Sequence, residues 1–151
     1  MSTPSERIWA SHEPSDSPSL LSFLPPRPRN PVTLVGTADR IEAGVARRAA
    51  VADFLDDLRF ARDDDDVADR IRVEPCTVDP HTDAYLAAIA EHPAASRGIR
   101  APQWTRGAAR FLDHFWWPSA TPALAARALV ESPAAFRRRG IFIGRTTLRR
   151  V

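Results

Sequence analysis

The chain has no lysine: all 21 of its basic residues are arginine. With abundant alanine, aspartate and proline beside it, that usage points to a GC-rich coding sequence rather than to a function. Cysteine is almost absent too. Cys76 stands alone, so no internal disulfide can form, and the expected setting is a reducing cytoplasm. A lone cysteine is read as a small, half-buried hydrophobe. No run of 18 apolar residues occurs, so no membrane-spanning helix is expected. No apolar stretch follows Met1-Ser2-Thr3-Pro4-Ser5-Glu6-Arg7, so no secretory signal is read. The phosphate-cradling patterns GxGxxG and GxxxxGK are missing, as are HExxH, a CxxC pair and GxSxG. These absences predict a protein that is not an enzyme, with no catalytic residues, no cofactor and no metal.

What is present describes an ordinary globular chain. At 151 residues, 44% apolar and 26% charged, it is long enough for one domain with a core of its own. Charge is unevenly spread. Residues 1–99 carry 11 arginines and 17 acids, a net of −6, and residues 100–151 carry 10 arginines and 2 acids, a net of +8. The basic end can meet nucleic acid or an acidic partner, or it can lie against the acidic half of its own chain.

Residues 1–31 contain Pro4, Pro14, Pro18, Pro25, Pro26, Pro28 and Pro31, which forbid a long helix. They are expected to form a flexible, disordered Pro/Ser-rich arm carrying one apolar patch, Leu20–Leu24. Residues 32–151 are expected to form a single mostly helical domain. Val32–Val35 reads as a short strand ended by Gly36, with Ile141–Ile143 as its partner. Thr37 is expected to cap a long helix reaching about Arg62, with Ile41, Val45, Val51, Phe54, Leu55 and Leu58 near one face. Asp63–Asp66 then stops that helix and favours the start of the next, over Val67–Val73; without a calcium-loop alternation it is read as a solvated cap. Asp79-Pro80 opens a further helix with Tyr85, Leu86 and Ile89 on its buried edge, closed by Pro93. Thr121-Pro122 and Ser132-Pro133 repeat that grammar, for helices over about 122–131 and 133–139, and Gly140 is a natural C-cap. Thr146–Val151 is read as a final helical turn. The predicted fold class is therefore mainly α: a small helical domain with a minor two-stranded β element and a disordered N-terminal arm.

Four aromatic rings fall within the seven residues Phe111–Trp117. One such side chain can bury roughly 150–250 Å², so this stretch is expected to organise the C-terminal half. Trp116 and Trp117 cannot both point inward from one helix, which leaves one for a binding surface. A second cluster is Phe136, Arg137, Arg138 and Arg139, with Arg145 and Arg149 nearby. Consecutive helical residues fan out by about 100°, so one arginine of the three is expected to face inward. These eight residues are the candidate partner-binding set. Such arginines suit phosphates and acidic protein surfaces alike. The histidines stand at 12, 81, 92 and 114; His81 and His92 can share a helix face but lie too far apart to ligate one ion, and Asp113 and His114 on a helix would diverge by about 100°.

Three strings carry a family resemblance: Ala101-Pro102-Gln103-Trp104-Thr105, then Arg110–Trp116, then Ala128–Ile143 with its "SPAAFRRRGIFI", preceded by Asp83–His92. Together they resemble the C-terminal region of a group of small actinobacterial proteins, over roughly residues 50–151. Many members of that group carry an N-terminal helix-turn-helix, and many are encoded beside a nucleotidyltransferase-like protein, as in toxin–antitoxin pairs. The resemblance implies a non-enzymatic, antitoxin-like binding protein whose partner is a nucleotidyltransferase-like protein, with no catalytic residues to carry over. Residues 1–36 depart from the group: they are too proline-rich for a helix-turn-helix. A nucleic-acid-binding regulator using the Arg-rich C-terminal surface is the alternative.

Overall fold

The computed structural model describes residues 30–119 and 121–149. The chain enters on an extended segment whose Val32 N–H donates to the Asp57 carboxylate at 2.9 Å. Six helices follow: α1 (Leu34–Glu42), α2 (Arg47–Leu58), α3 (Asp64–Arg72), α4 (Pro80–Arg97), α5 (Pro122–Glu131) and α6 (Ala134–Arg137). Short 3-10 turns lie at Gln103–Arg106, Ala108–Arg110 and Arg145–Thr147. No helix is long and apolar enough to cross a membrane among the described residues. The proline-rich arm lies outside the described residues, apart from Asn30 and Pro31.

The centre of the fold is α4. Asp79 caps it, accepting from the Thr82 N–H, and Pro80 opens it with a fixed φ where no N–H is needed. Every residue from Thr82 to Glu91 is buried. Alanines at 84, 87, 88 and 90 let neighbouring elements approach from several sides, while Tyr85, Leu86 and Ile89 supply bulk. Around it a continuous apolar cluster takes in Leu34 of α1, Val51, Phe54 and Leu55 of α2, Val67 and Ile71 of α3, and Phe136 of α6. The helix runs through Pro93 to Arg97, four residues past the expected stop. The missing hydrogen bond is tolerated where Ala94, buried beyond it, anchors the last turn.

Several expectations are corrected here. Val32–Val35 is not a strand. Thr33 caps α1, its hydroxyl accepting from the Gly36 N–H at 3.2 Å, and Leu34 and Val35 already belong to the helix. Local capping outweighs the β-branched preference, because no neighbouring strand supplies a ladder. The two-stranded element is accordingly missing among the described residues; one isolated parallel bridge, Trp116 with Ile141, is the β-type pairing found. The long helix expected from Thr37 is two helices, parted at Gly44, whose φ of 98° is open to glycine at no steric cost. The tetra-aspartate run does favour the start of the next helix, but from within it: Asp63 accepts from the Asp66 N–H at 2.8 Å, Asp64–Asp66 fill the first turn of α3, and the preceding helix has already ended at Leu58 rather than near Arg62.

The aromatic stretch is the largest correction. It is not a helix and not the core. Phe111 is 37% exposed and Phe115 69% exposed. The segment is a strap laid over α4 and held by backbone bonds to the chain after α6. The Leu112 N–H donates to Arg139 O at 3.3 Å, Trp116 N–H to Gly140 O at 2.8 Å, and Phe142 N–H to Trp116 O at 2.9 Å. Phe136, by contrast, is fully buried against Tyr85 and His92.

Two outcomes check this architecture. Phe136→Ala is expected to cost about 3–5 kcal/mol in chemical denaturation, as large cavities do, and Phe111→Ala less than half as much. The second concerns Asp66, which accepts from Arg70 Nε at 3.0 Å. The Arg70 side chain holds its carboxyl down from 3.8 to about 2. A depressed carboxylate contributes stability that is complete above its ordinary pKa and is lost as pH falls through the folded value. Thermal midpoints should therefore show Asp66→Asn less stable than the parent at neutral pH, with the gap closing between pH 3.8 and about 2.

Candidate functional site

Charge decides how the C-terminal segment sits. Arg139 ends the α6 turn with its side chain fully buried. Its Nη1 donates to Glu91 Oε2 on α4 at 2.6 Å and to Ala135 O at 2.7 Å, and its Nη2 to Thr105 O at 2.7 Å. The guanidinium also lies 4.9 Å from the centre of the Phe111 ring. Burial pulls Arg139 below its ordinary pKa, and the Glu91 carboxylate opposes that pull. Arg138 pairs with the same Glu91 oxygen from a half-exposed position. Arg110 is buried as well; it donates to Glu74 Oε1 at 3.0 Å and to Pro75 O at 2.9 Å, with Asp83 at 3.7 Å. Arg110, Arg138 and Arg139 thus all pair with acids of the first 99 residues.

The candidate set divides accordingly. Arg139 turns inward, as the fanning of consecutive residues requires, while Arg137 and Arg138 stay outside. Phe136 and Arg139 are core, and both are withdrawn from the binding surface. Arg137 and Arg149 are exposed and make no ion pair among the described residues. Arg145 is exposed, and its N–H donates to Glu131 at 3.1 Å, so Glu131 is held below its ordinary pKa by Arg127 first and then by Arg145. The tryptophans separate because the strap is extended rather than helical. Trp116 lies over α4, 4.6 Å from His81 and 6.1 Å from Tyr85 between ring centres, with the Arg47 guanidinium 4.6 Å from its own ring centre. Trp117 stacks on Phe142 at 5.1 Å, and Phe115 meets both edge-on at 6.4 and 5.4 Å.

Exposed apolar side chains continue from that aromatic triad onto α5, where they project from more than one side of the helix. The strap leads into α5, where Leu124, Leu129 and Val130 are exposed and Ala128 is the one fully buried residue. At its far end Ser132 locks α5 back onto the same segment: its hydroxyl donates to Ile141 O at 3.1 Å and accepts from the Ile143 N–H at 3.3 Å. Seven large hydrophobics are exposed among the described residues, and five of them (Phe111, Phe115, Leu124, Leu129 and Val130) lie within residues 111–130.

A second constellation escaped sequence reasoning. Asp113 and His114 do work together, because the strap is not helical: His114 Nδ1 and Asp113 Oδ1 are 2.6 Å apart. The His114 ring holds the Asp113 carboxyl below its ordinary pKa. On the other side, His114 Nε2 faces His81 Nε2 at 3.1 Å. A shallow groove of about 330 Å³ between Leu55, Ile89, His92, Pro93 and Leu148 shares no lining residue with them. His92, half-buried against Phe136, is pushed below its ordinary pKa by desolvation. Cys76 is half-buried as expected; desolvation, with the Glu42 carboxylate second, pushes its thiol up.

Comparison with family models, curated proteins and solved structures returns no match for this chain.

Gly140 fastens the strap to the chain after α6. Its φ of 77° is left-handed, and a Cβ built there would lie 2.8 Å from His114 O. Gly140→Ala is expected to cost at least about 2 kcal/mol, since the left-handed conformation alone disfavours an L side chain by roughly 1–2 kcal/mol. Equilibrium urea denaturation reads the value, and a neutral result would mean that the strap is not seated on Gly140.

Proposed function

We propose that this chain is a non-enzymatic partner-binding protein, antitoxin-like, whose partner is a nucleotidyltransferase-type protein. The supporting observation is the concentration of exposed apolar side chains on the strap and α5: Phe111, Phe115, Leu124, Leu129 and Val130. Apolar side chains exposed singly on a surface are ordinary; here five of the seven large ones among the described residues fall within residues 111–130. Exposed aromatic and aliphatic side chains on a fixed backbone are what a partner desolvates to gain affinity. Arg137 and Arg149 remain available nearby in sequence for acidic groups of such a partner.

The nucleic-acid reading is the weaker one on the same charges. Arg110, Arg138 and Arg139 are taken by Glu74, Asp83 and Glu91, and Arg127 by Glu131, so the +8 segment presents far less free charge than its composition implies.

The partner retained by the chain in its native host, identified by mass spectrometry and then purified, provides the test by isothermal titration. The complex should persist as salt rises from about 0.15 M, where the Debye length is near 8 Å, because apolar burial is not screened. Phe115→Ser combined with Leu129→Ser should weaken it at least tenfold while the thermal midpoint holds. Duplex DNA should not bind tightly under those conditions. Sub-micromolar, sequence-selective DNA binding with a log-linear salt slope near −0.9 per phosphate would replace this reading with the alternative.

A further inference from the structure

We propose that His81 and His114 form a binding site for one divalent transition-metal ion, with Zn²⁺ as the type case. The distances admit such a site as well as a direct imidazole–imidazole hydrogen bond. Two imidazoles bound to one tetrahedral zinc at the usual Zn–N length place their Nε2 atoms about 3.3 Å apart and their ring centres about 5.2 Å apart. Here the Nε2 atoms are 3.1 Å apart and the ring centres 5.2 Å apart. A shift of a few tenths of an ångström admits the ion.

The groups behind the two rings fit the same chemistry. Asp113 holds His114 at Nδ1, 2.6 Å away. That contact keeps a proton on Nδ1 and leaves the Nε2 lone pair facing His81. A carboxylate behind a ligating histidine is the usual supporting arrangement in zinc sites, where it fixes the tautomer and raises basicity. His81 sits in the first turn of α4, on the most firmly packed element of the fold, and its ring lies against Trp116. Arg47, whose guanidinium lies over Trp116, is directed elsewhere: it donates to Thr82 Oγ1 at 3.2 Å and interacts with the Asp79 carboxylate. His114 is exposed enough for an ion to reach it, with a side-chain exposure of 55%.

Binding uses one lone pair from each Nε2. The hydrogen between the two rings must therefore move to His81 Nδ1, or leave to solvent when the pair carries a positive charge. Two protein ligands leave the remaining coordination positions to water, so affinity in the micromolar range is expected rather than that of a closed structural site.

Titration calorimetry of the chelator-treated chain with Zn²⁺ tests the site. One ion per chain is expected. His81→Ala and His114→Ala should each weaken binding at least tenfold. Asp113→Asn should weaken it by roughly tenfold or more, the usual range for a supporting carboxylate. His92→Ala should leave it unchanged. So should Cys76→Ser, which removes the other metal-capable group, Cys76 with Asp39 and Glu42. Because His114→Ala can loosen the strap, ¹⁵N imidazole spectra of the unmutated chain supply an independent readout: Zn²⁺ should shift the Nε2 resonances of His81 and His114 alone. No Zn²⁺ binding at about 100-fold above the expected micromolar range, unmoved imidazole resonances, or binding abolished by Cys76→Ser would overturn the proposal and leave the contact a simple imidazole–imidazole hydrogen bond.

Discussion

Buried arginines hold the C-terminal third of this protein on α4, and the most deeply buried of their ion pairs is Arg139 with Glu91. Arg139 reaches Glu91 from the turn after α6, and the same guanidinium closes bonds to Ala135 and Thr105. Burying two charges is costly, and the attraction between them offsets that cost only when the geometry is good and other hydrogen bonds are satisfied. Three short bonds from the Arg139 Nη atoms and a second cation on Glu91 go part of the way, while Arg139 Nε is buried without a partner among the described residues. Removing Glu91 leaves Arg139 buried and uncompensated, which costs far more than the pair contributes; removing Arg139 leaves Glu91 with the half-exposed Arg138. Directly after Arg139 the chain turns through left-handed Gly140, and Ile141 and Phe142 come alongside Trp116. The strap, α5 and their exposed apolar side chains all follow from where that arginine is pinned.

The same pairing changes what the charge asymmetry means. A segment of net +8 beside one of net −6 looks from composition like a basic surface for phosphates. In the folded chain Arg110, Arg138 and Arg139 meet acids from the first 99 residues. Much of the contrast is intramolecular. Among the features facing outward are apolar side chains on the strap and α5, and the histidine pair at the N-terminal end of α4. A partner that grips Phe115 and an ion that grips His114 would both act on the strap, Phe111–Trp117. Neither needs a cleft or a nucleophile.

Local signals were legible in the sequence and non-local ones were not. Asp79-Pro80 and Thr121-Pro122 open their helices where expected, because cap and proline act within two residues; α3 starts three residues before the expected Val67, and α6 stops at Arg137, short of the expected Arg139. Thr33 was misread because capping and strand propensity compete over the same four residues. The aromatic stretch was misread for a deeper reason. Bulk predicts how much surface a side chain can hide, whereas position in the packing decides whether it does. An alanine-rich helix that is buried over ten residues shows little amphipathic contrast, yet it makes the better centre because neighbours can approach closely from all sides. His81 and His114 lie 33 residues apart and belong to no spacing motif, so only the folded strap brings them together. Glu91 meets its partner 48 residues later, a separation that no local pattern announces.

The central claim is that Glu91 and Arg139 act as one unit on which the C-terminal segment depends. A double-mutant cycle with Glu91→Ala, Arg139→Ala and the combined variant, followed by equilibrium denaturation, measures that dependence. Each single change should be strongly destabilising, and the double variant should be less unstable than their sum by on the order of 1–3 kcal/mol, as for residues in one buried network. A coupling within about 0.5 kcal/mol of zero would contradict the account: Arg139 and Glu91 would then be independent neighbours, and something other than the ion pair would seat the strap on α4.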